Sequence, residues 1–149
     1  KGYAACGWLV ALMLQFFTLT PEQVQTHEII AGSAAVLGHN YTCWLGFKGG
    51  KGIATTAGVF IALAPWALLV ALGVFILAVL VTRYVSVGSI AAAVALPATV
   101  WIMPPRNLLL CVVTTALGVL AIYKHKGNIQ RLRAGTESRI GAKKQGAAK

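Results

Sequence analysis

Four apolar runs, at roughly 3–19, 28–45, 84–103 and 107–123, each approach the ~20 residues that a helix needs to cross a bilayer. A fifth stretch, from Ile53 to Thr82, is longer. It makes either one overlong helix of ~45 Å or two short helices broken near Pro65. The placement of Lys and Arg separates the two options. Two short spans put Lys48, Lys51, Arg83 and the C-terminal basic cluster on one face and leave Arg106 alone on the other, whereas one long span splits these groups. The expected fold is therefore an all-α integral membrane protein with six transmembrane helices and both ends of the chain cytoplasmic. The segment 53–64 covers only about 18 Å. The loop before it is expected to lie below the headgroup plane, or the helix to tilt while the bilayer thins.

Composition agrees with this reading and removes several chemistries. Apolar residues make up 58% of the 149 positions and charged residues 11%, with a mean hydropathy of +0.76. Glu22, Glu28 and Glu137 are the only carboxylates, since the chain has no Asp. A mechanism built on paired carboxylates, or an acidic cage for Mg²⁺ or Ca²⁺, is hard to assemble from them. The net charge of +10 lies between apolar runs and does not cover one soluble face, so it points to lipid headgroups or a phosphorylated substrate and away from nucleic acid. Cys6, Cys43 and Cys111 are odd in number, lack metal-ligand spacing and read as packing residues. No metal site and no cofactor are expected. Small residues at Ala31, Ala35, Gly38, Gly58, Gly73 and Gly88 are suited to close helix approach. No cleavable signal peptide is visible, and Lys1-Gly2 enters directly into a span, as a fragment would. The organisation expected is one transmembrane domain over 1–140 and a basic, disordered tail over 141–149.

Chemistry is concentrated in three segments. In the first, Gly38-His39-Asn40 is followed by Phe47-Lys48-Gly49-Gly50-Lys51-Gly52. Three glycines beside two lysines let successive N–H groups converge on an anion while an ammonium closes the site. The loop is not a Walker A loop, because the spacing differs, Gly52-Ile53 follows Lys51 where Ser or Thr should hold Mg²⁺, and no Asp is available. An ordinary positive-inside turn is the plainer alternative. His39 lies within an apolar run, where an ionisable group usually faces a polar cavity or a partner, and taken alone it reads equally as structural or catalytic. The second segment, Thr82-Arg83-Tyr84-Val85-Ser86-Val87-Gly88-Ser89, offers donors to phosphate or a polyol. Equally, Ser86 or Ser89 can cap the following helix. The third, Tyr123 to Glu137, is strongly basic and suits anionic lipid, but that leaves unexplained the interleaved polar groups of His125, Asn128 and Glu137.

Taken together, Gly38-His39, Phe47-Lys48-Gly49-Gly50-Lys51-Gly52 with Ala54-Thr55, Arg83-Tyr84-x-Ser86-x-x-Ser89, and Lys124-His125-x-x-Asn128-Ile129-x-Arg131-Leu132-x-x-Gly135-Thr136-Glu137 resemble the PlsY-type glycerol-3-phosphate acyltransferases. These are bacterial cell-membrane enzymes with acyl-phosphate as donor. The resemblance runs from Lys1 to about Gly141. It implies transfer of a fatty acyl group from acyl-phosphate to the 1-hydroxyl of glycerol 3-phosphate, at an active site facing the cytoplasm. Lys51, His125 and Asn128 are implied as catalytic residues. Gly49, Gly50, Gly52, Ser89, Lys48, Arg83 and His39 are expected to bind substrate and phosphate, and Glu137 to be architectural. Family members also carry, ahead of the position of Lys1, a further span, making seven in all, and a loop resembling Ser-Gly-Asn-x-Gly-Ala-Thr-Asn followed by an Arg. Without them the chain is expected to lack one wall of the site and to be nearly inactive alone.

Acyl-phosphate is an activated anhydride, so its enzyme chiefly positions two anions and neutralises growing charge. With paired carboxylates absent, the proton of the attacking hydroxyl must go to a His or to a substrate phosphate oxygen. The competing reading is a transporter or channel for small phosphorylated anions. Against it, no Lys or Arg lies deep in a span, and no internal repeat suggests an inverted-repeat carrier.

Overall fold

The computed structural model describes Leu12 and residues 20–47, 49–104 and 106–141. The expected span at 3–19, Lys48 and the tail from residue 142 onward lie outside the described residues. Six α-helices and no strand are found among the described residues: α1 (Pro21–Asn40), α2 (Ile53–Leu63), α3 (Pro65–Thr82), α4 (Val85–Ile102), α5 (Leu108–Lys124) and α6 (Lys126–Arg133).

Helix α1 begins several residues before the apolar run that announced it. Thr20 and Gln23 form a reciprocal capping box, in which Gln23 N–H donates to Thr20 Oγ1 and Thr20 N–H to Gln23 Oε1, with Pro21 in the first turn. The polar residues Glu22, His27 and Glu28 are thereby helical. The stretch from Ile53 to Thr82 divides at Pro65, as expected. Proline has no N–H for the ladder and keeps the preceding residue out of the α region, and Ala64 sits at φ −156°, ψ 71°. Eleven residues give α2 a length of about 16 Å, too short to cross alone.

Only α3 and α4 are by themselves long and apolar enough to span a membrane among the described residues; α5 and α6 make a third if counted as one helix bent by 50°. Helix α4 packs between α3 and α5, and α1 lies against α2 and α5. Helices α1 and α5 run parallel. Near their starts Asn107 Nδ2 donates to Gln25 Oε1 at 2.6 Å, and at their ends Lys124 Nζ donates to the Asn40 carbonyl at 2.8 Å. The buried centre contains Ile29, Val36, Val59, Phe60 and Cys111, while Leu77, Leu80 and Val81 of α3 point outward. That distribution fits a solvent as apolar as the core itself, where helices associate by close packing. Gly88 supplies such packing, since a Cβ there would stand 2.9 Å from the Phe75 carbonyl oxygen. Gly118 does so too, at 2.6 Å from that of Ala93. Gly38 and Gly73 instead have open space where a Cβ would go. Cys111 is a packing residue, but Cys43 falls in an exposed 3-10 turn over Cys43–Leu45 and is not.

Candidate active site

Chemistry gathers where α1 and α5 end. After Asn40 the chain turns through Gly46 and Phe47, both at positive φ, and returns as Gly49 to Gly52 across the last residues of α1. The glycines are required there by space. A Cβ at Gly49 would enter the His39 and Asn40 backbone, one at Gly50 would strike the His39 ring, and one at Gly52 would stand 2.7 Å from Asn40 Oδ1. Gly52 also caps α2 at φ +78°. The Gly50 N–H donates to the His39 carbonyl at 3.2 Å, so this N–H closes the loop onto α1 and is not free for an anion.

The loop delivers Lys51 to the C-terminal segment. Its ammonium donates to Asn128 Oδ1 at 2.7 Å, across 77 residues of sequence. Asn128 Nδ2 in turn donates to Glu137 Oε1 at 2.6 Å, and Arg131 Nε to Glu137 Oε2 at 2.7 Å. The Glu137 side chain is only 8% exposed. Its pKa is lowered to about 2, first by the Asn128 hydrogen bond and then by the Ser86 hydroxyl and Arg131, against an opposing contribution from burial. Ser86 Oγ is buried without completing a hydrogen bond, so its influence is that of a nearby dipole. Glu137 therefore clamps Asn128 and Arg131 and is too weak a base to take a substrate proton.

His125 occupies the bend between α5 and α6 and is 2% exposed. Its Nδ1 lies 2.8 Å from the Ala121 carbonyl, which can only accept, so Nδ1 carries the proton and the lone pair of the neutral ring is on Nε2. The bend puts His125 and Asn128 on the wall of one polar cavity of about 850 Å³, with His39, Gly50, Lys51, Gly52, Ser86 and Ser89 also on its lining. Of the residues singled out by sequence, Arg83 and Gly49 do not line it, and Lys48 is outside the described residues. Neither Ser86 nor Ser89 caps α4, whose N-cap is Tyr84, and the Ser89 hydroxyl donates within the helix to the Val85 carbonyl.

Sequence reasoning missed the rest of the wall. Ser138, Arg139 and Ile140 follow Glu137 along the cavity, and the Ile140 N–H donates to the Arg83 carbonyl at 2.8 Å. The signal available for them was the polar register of Glu137 itself, which places the next residues beside it. Below the polar cavity lies an apolar slot of about 170 Å³ between α2, α3, α4 and α5, reaching Leu68, Leu96 and Thr114. Ile53, Ala57, Phe75 and Ser89 line both spaces, so polar cavity and apolar slot adjoin. No group of His, Cys and carboxylate side chains that could hold a metal occurs among the described residues.

A profile described as glycerol-3-phosphate acyltransferase matches residues 1–135. The chain belongs to the glycerol-3-phosphate acyltransferase family. A relative of that name from Geobacter sulfurreducens is 52% identical over 111 residues, covering 74% of this chain and 57% of its own length. One from Laribacter hongkongensis is 37% identical over 144 residues, covering 97% and 71%. The chain thus spans less than two thirds of several of the curated relatives it matches, as it does for the Geobacter protein. Among solved structures, PlsY (YgiH), an integral membrane glycerol 3-phosphate acyltransferase crystallised in its lysophosphatidic acid form, superposes with a TM-score of 0.77 at 31% identity. That superposition covers 94% of this chain and 69% of the other. The glycerol 3-phosphate form of the same protein gives 0.71, also at 31% identity, covering 80% and 70%. The resemblance read from the motifs is therefore that of the family to which the chain belongs, and its all-helical fold is similar to that of an integral membrane protein.

Proposed function

We propose that this protein transfers a fatty acyl group from acyl-phosphate to the 1-hydroxyl of glycerol 3-phosphate, giving lysophosphatidic acid and inorganic phosphate. The observation that carries the proposal is the juxtaposition of the two spaces: a cavity walled in part by Lys51 and Arg139 adjoins an apolar slot at Ser89 and Phe75. An acyl-phosphate has the matching polarity, with its phosphate among cations and its chain in the slot. The family's name and PlsY's glycerol 3-phosphate form support glycerol 3-phosphate as the acceptor.

In the proposed step the glycerol oxygen attacks the acyl carbon, the carbon–oxygen bond to phosphate breaks, and the hydroxyl proton passes to the departing phosphate. Lys51, steadied by Asn128, offers its remaining N–H donors to the charge that grows on the leaving group. His125 Nε2 accepts from a glycerol hydroxyl and orients it. Glu137 keeps Asn128 fixed. We assign the proton to the substrate's own phosphate: Glu137 is too weak a base, and His125 is given the orienting role.

We also infer six spans in this chain, in a bacterial inner membrane, with both chain ends and the polar cavity on the cytoplasmic side. Lys51, Lys124 and Arg139 lie together at one end of the bundle, and Arg106 precedes α5 at the other, as the positive-inside rule asks. A carrier for phosphorylated anions fits less well, because the space adjoining the cavity is lined almost entirely by apolar side chains, which suit a lipid chain and repel an ion. The deciding experiment is acyl-phosphate-dependent formation of lysophosphatidic acid in proteoliposomes, with Lys51→Ala alongside, on this chain and on one extended to its relatives' length. Uptake of glycerol 3-phosphate without acyl transfer by either would favour the carrier.

A further inference from the structure

Two phosphate groups must be held if the proposed function is right, and the cations available to them are fewer than the net charge suggests. Arg131 is neutralised by Glu137, and Lys124 is turned away to the Asn40 carbonyl and the Tyr41 ring, 4.0 Å from its centroid. Lys51 has given one donor to Asn128. Arg139 is the other basic side chain on the described wall besides Lys51 and the two histidines. Its guanidinium lies 5.9 Å from the Tyr84 ring centroid and has no carboxylate partner among the described residues.

The segment carrying Arg139 is not a loose tail. Thr136 N–H donates to the Arg131 carbonyl at 2.9 Å, Glu137 is clamped by Asn128 and Arg131, and Ile140 N–H is bound to the Arg83 carbonyl. Arg139 thus stands between two fixed points, one residue from the second, with Tyr84 limiting the swing of its side chain. Positioning of this kind lowers the entropy lost when a long cation grips a ligand. We infer that Arg139 is an anion-binding residue of the polar cavity, gripping the phosphate group of a substrate through its guanidinium donors beside Tyr84. In effect the backbone of Arg83 docks the strap, and the strap supplies the cation.

The inference rests on the acyltransferase reading for its substrate but can be tested apart from it. Calorimetric titration of the chain in detergent micelles with inorganic phosphate and, separately, with glycerol 3-phosphate reads the grip directly. Arg139→Met keeps an apolar stem on Tyr84 and removes the charge. It is expected to weaken binding of at least one anion by about 10- to 100-fold, the range for losing hydrogen bonds to a charged group. Arg139→Lys should stay closer to wild type, and Tyr84→Leu should fall between. A loss confined to glycerol 3-phosphate assigns Arg139 to the acceptor, and a loss confined to phosphate assigns it to the acyl donor or released phosphate. Both outcomes support the inference. Unchanged binding of both anions in Arg139→Met, or binding of neither by the wild type, overturns it. Arg139-dependent anion binding without acyl transfer, even by a chain extended to its relatives' length, would overturn the enzymatic reading and leave this inference standing.

Discussion

The polar cavity and the apolar slot share four residues yet are built by different means. The cavity is fixed by hydrogen bonds between distant parts of the chain, Lys51 to Asn128 and Asn128 to Glu137, each with one definite geometry. The slot is shaped by what is missing, at Ala57, Ala71, Ala92, Ala93 and Ala121, where small side chains leave room between helices that nothing else holds apart. Damage should follow that difference. Under the proposed function, a change in the cavity breaks a network and should be felt by phosphate, whereas a change in the slot alters volume and should be felt by the acyl chain.

The largest effect is expected from Lys51→Ala, which removes the cation nearest the reaction and leaves Asn128 without its partner. The kcat/KM of lysophosphatidic acid formation should fall by about 10²- to 10³-fold, as for loss of one transition-state donor. A loss under threefold would detach Lys51 from the chemistry. Ala71→Leu fills the slot without touching the cavity. It should lower kcat/KM for a long-chain acyl-phosphate by about tenfold while the KM for glycerol 3-phosphate stays unchanged, as expected for an added methylene-scale clash in an apolar pocket. Equal damage to both substrates would erase the distinction between the two spaces.

His125→Ala tests the division of labour inside the cavity. Loss of one orienting hydrogen bond should raise the KM for glycerol 3-phosphate by about tenfold with a smaller change in kcat. A collapse of kcat at constant KM would transfer the proton to the imidazole. Smallest in activity, but with its own pH signature, is Glu137→Gln. The wild-type carboxylate is held at about 2 against an ordinary 4.5, so its contribution to stability is complete above 4.5 and fades as pH falls toward 2. The difference in unfolding midpoint between wild type and Glu137→Gln in detergent should be largest near neutral pH and shrink through that window. A difference constant from pH 6 to 2 would mean that the clamp is not electrostatic.

Much of this was legible in the order of residues. Pro65 marked the break between α2 and α3 because a ring nitrogen cannot donate to any helix. The three segments of basic and polar residues marked the cavity because charge in a mostly apolar chain has few places to be. Less legible was the start of α1, since the capping box at Thr20 is a local polar signal that hydropathy passes over. The lining position expected of Arg83 could not be checked by spacing either. Its φ of 63° turns the chain at the end of α3, and a carbonyl exposed by that turn is what receives Ile140.

The sequence by itself determined the apolar helices α2 to α5 and the family, because length, hydropathy and motif spacing are properties of neighbours along the chain. Which donors meet which acceptors was decided only by the tertiary structure. Lys51 and Asn128 are brought within 2.7 Å by the parallel run of α1 and α5 and by the bend at His125, and directional hydrogen bonds of this range carry no mark in the residues that make them.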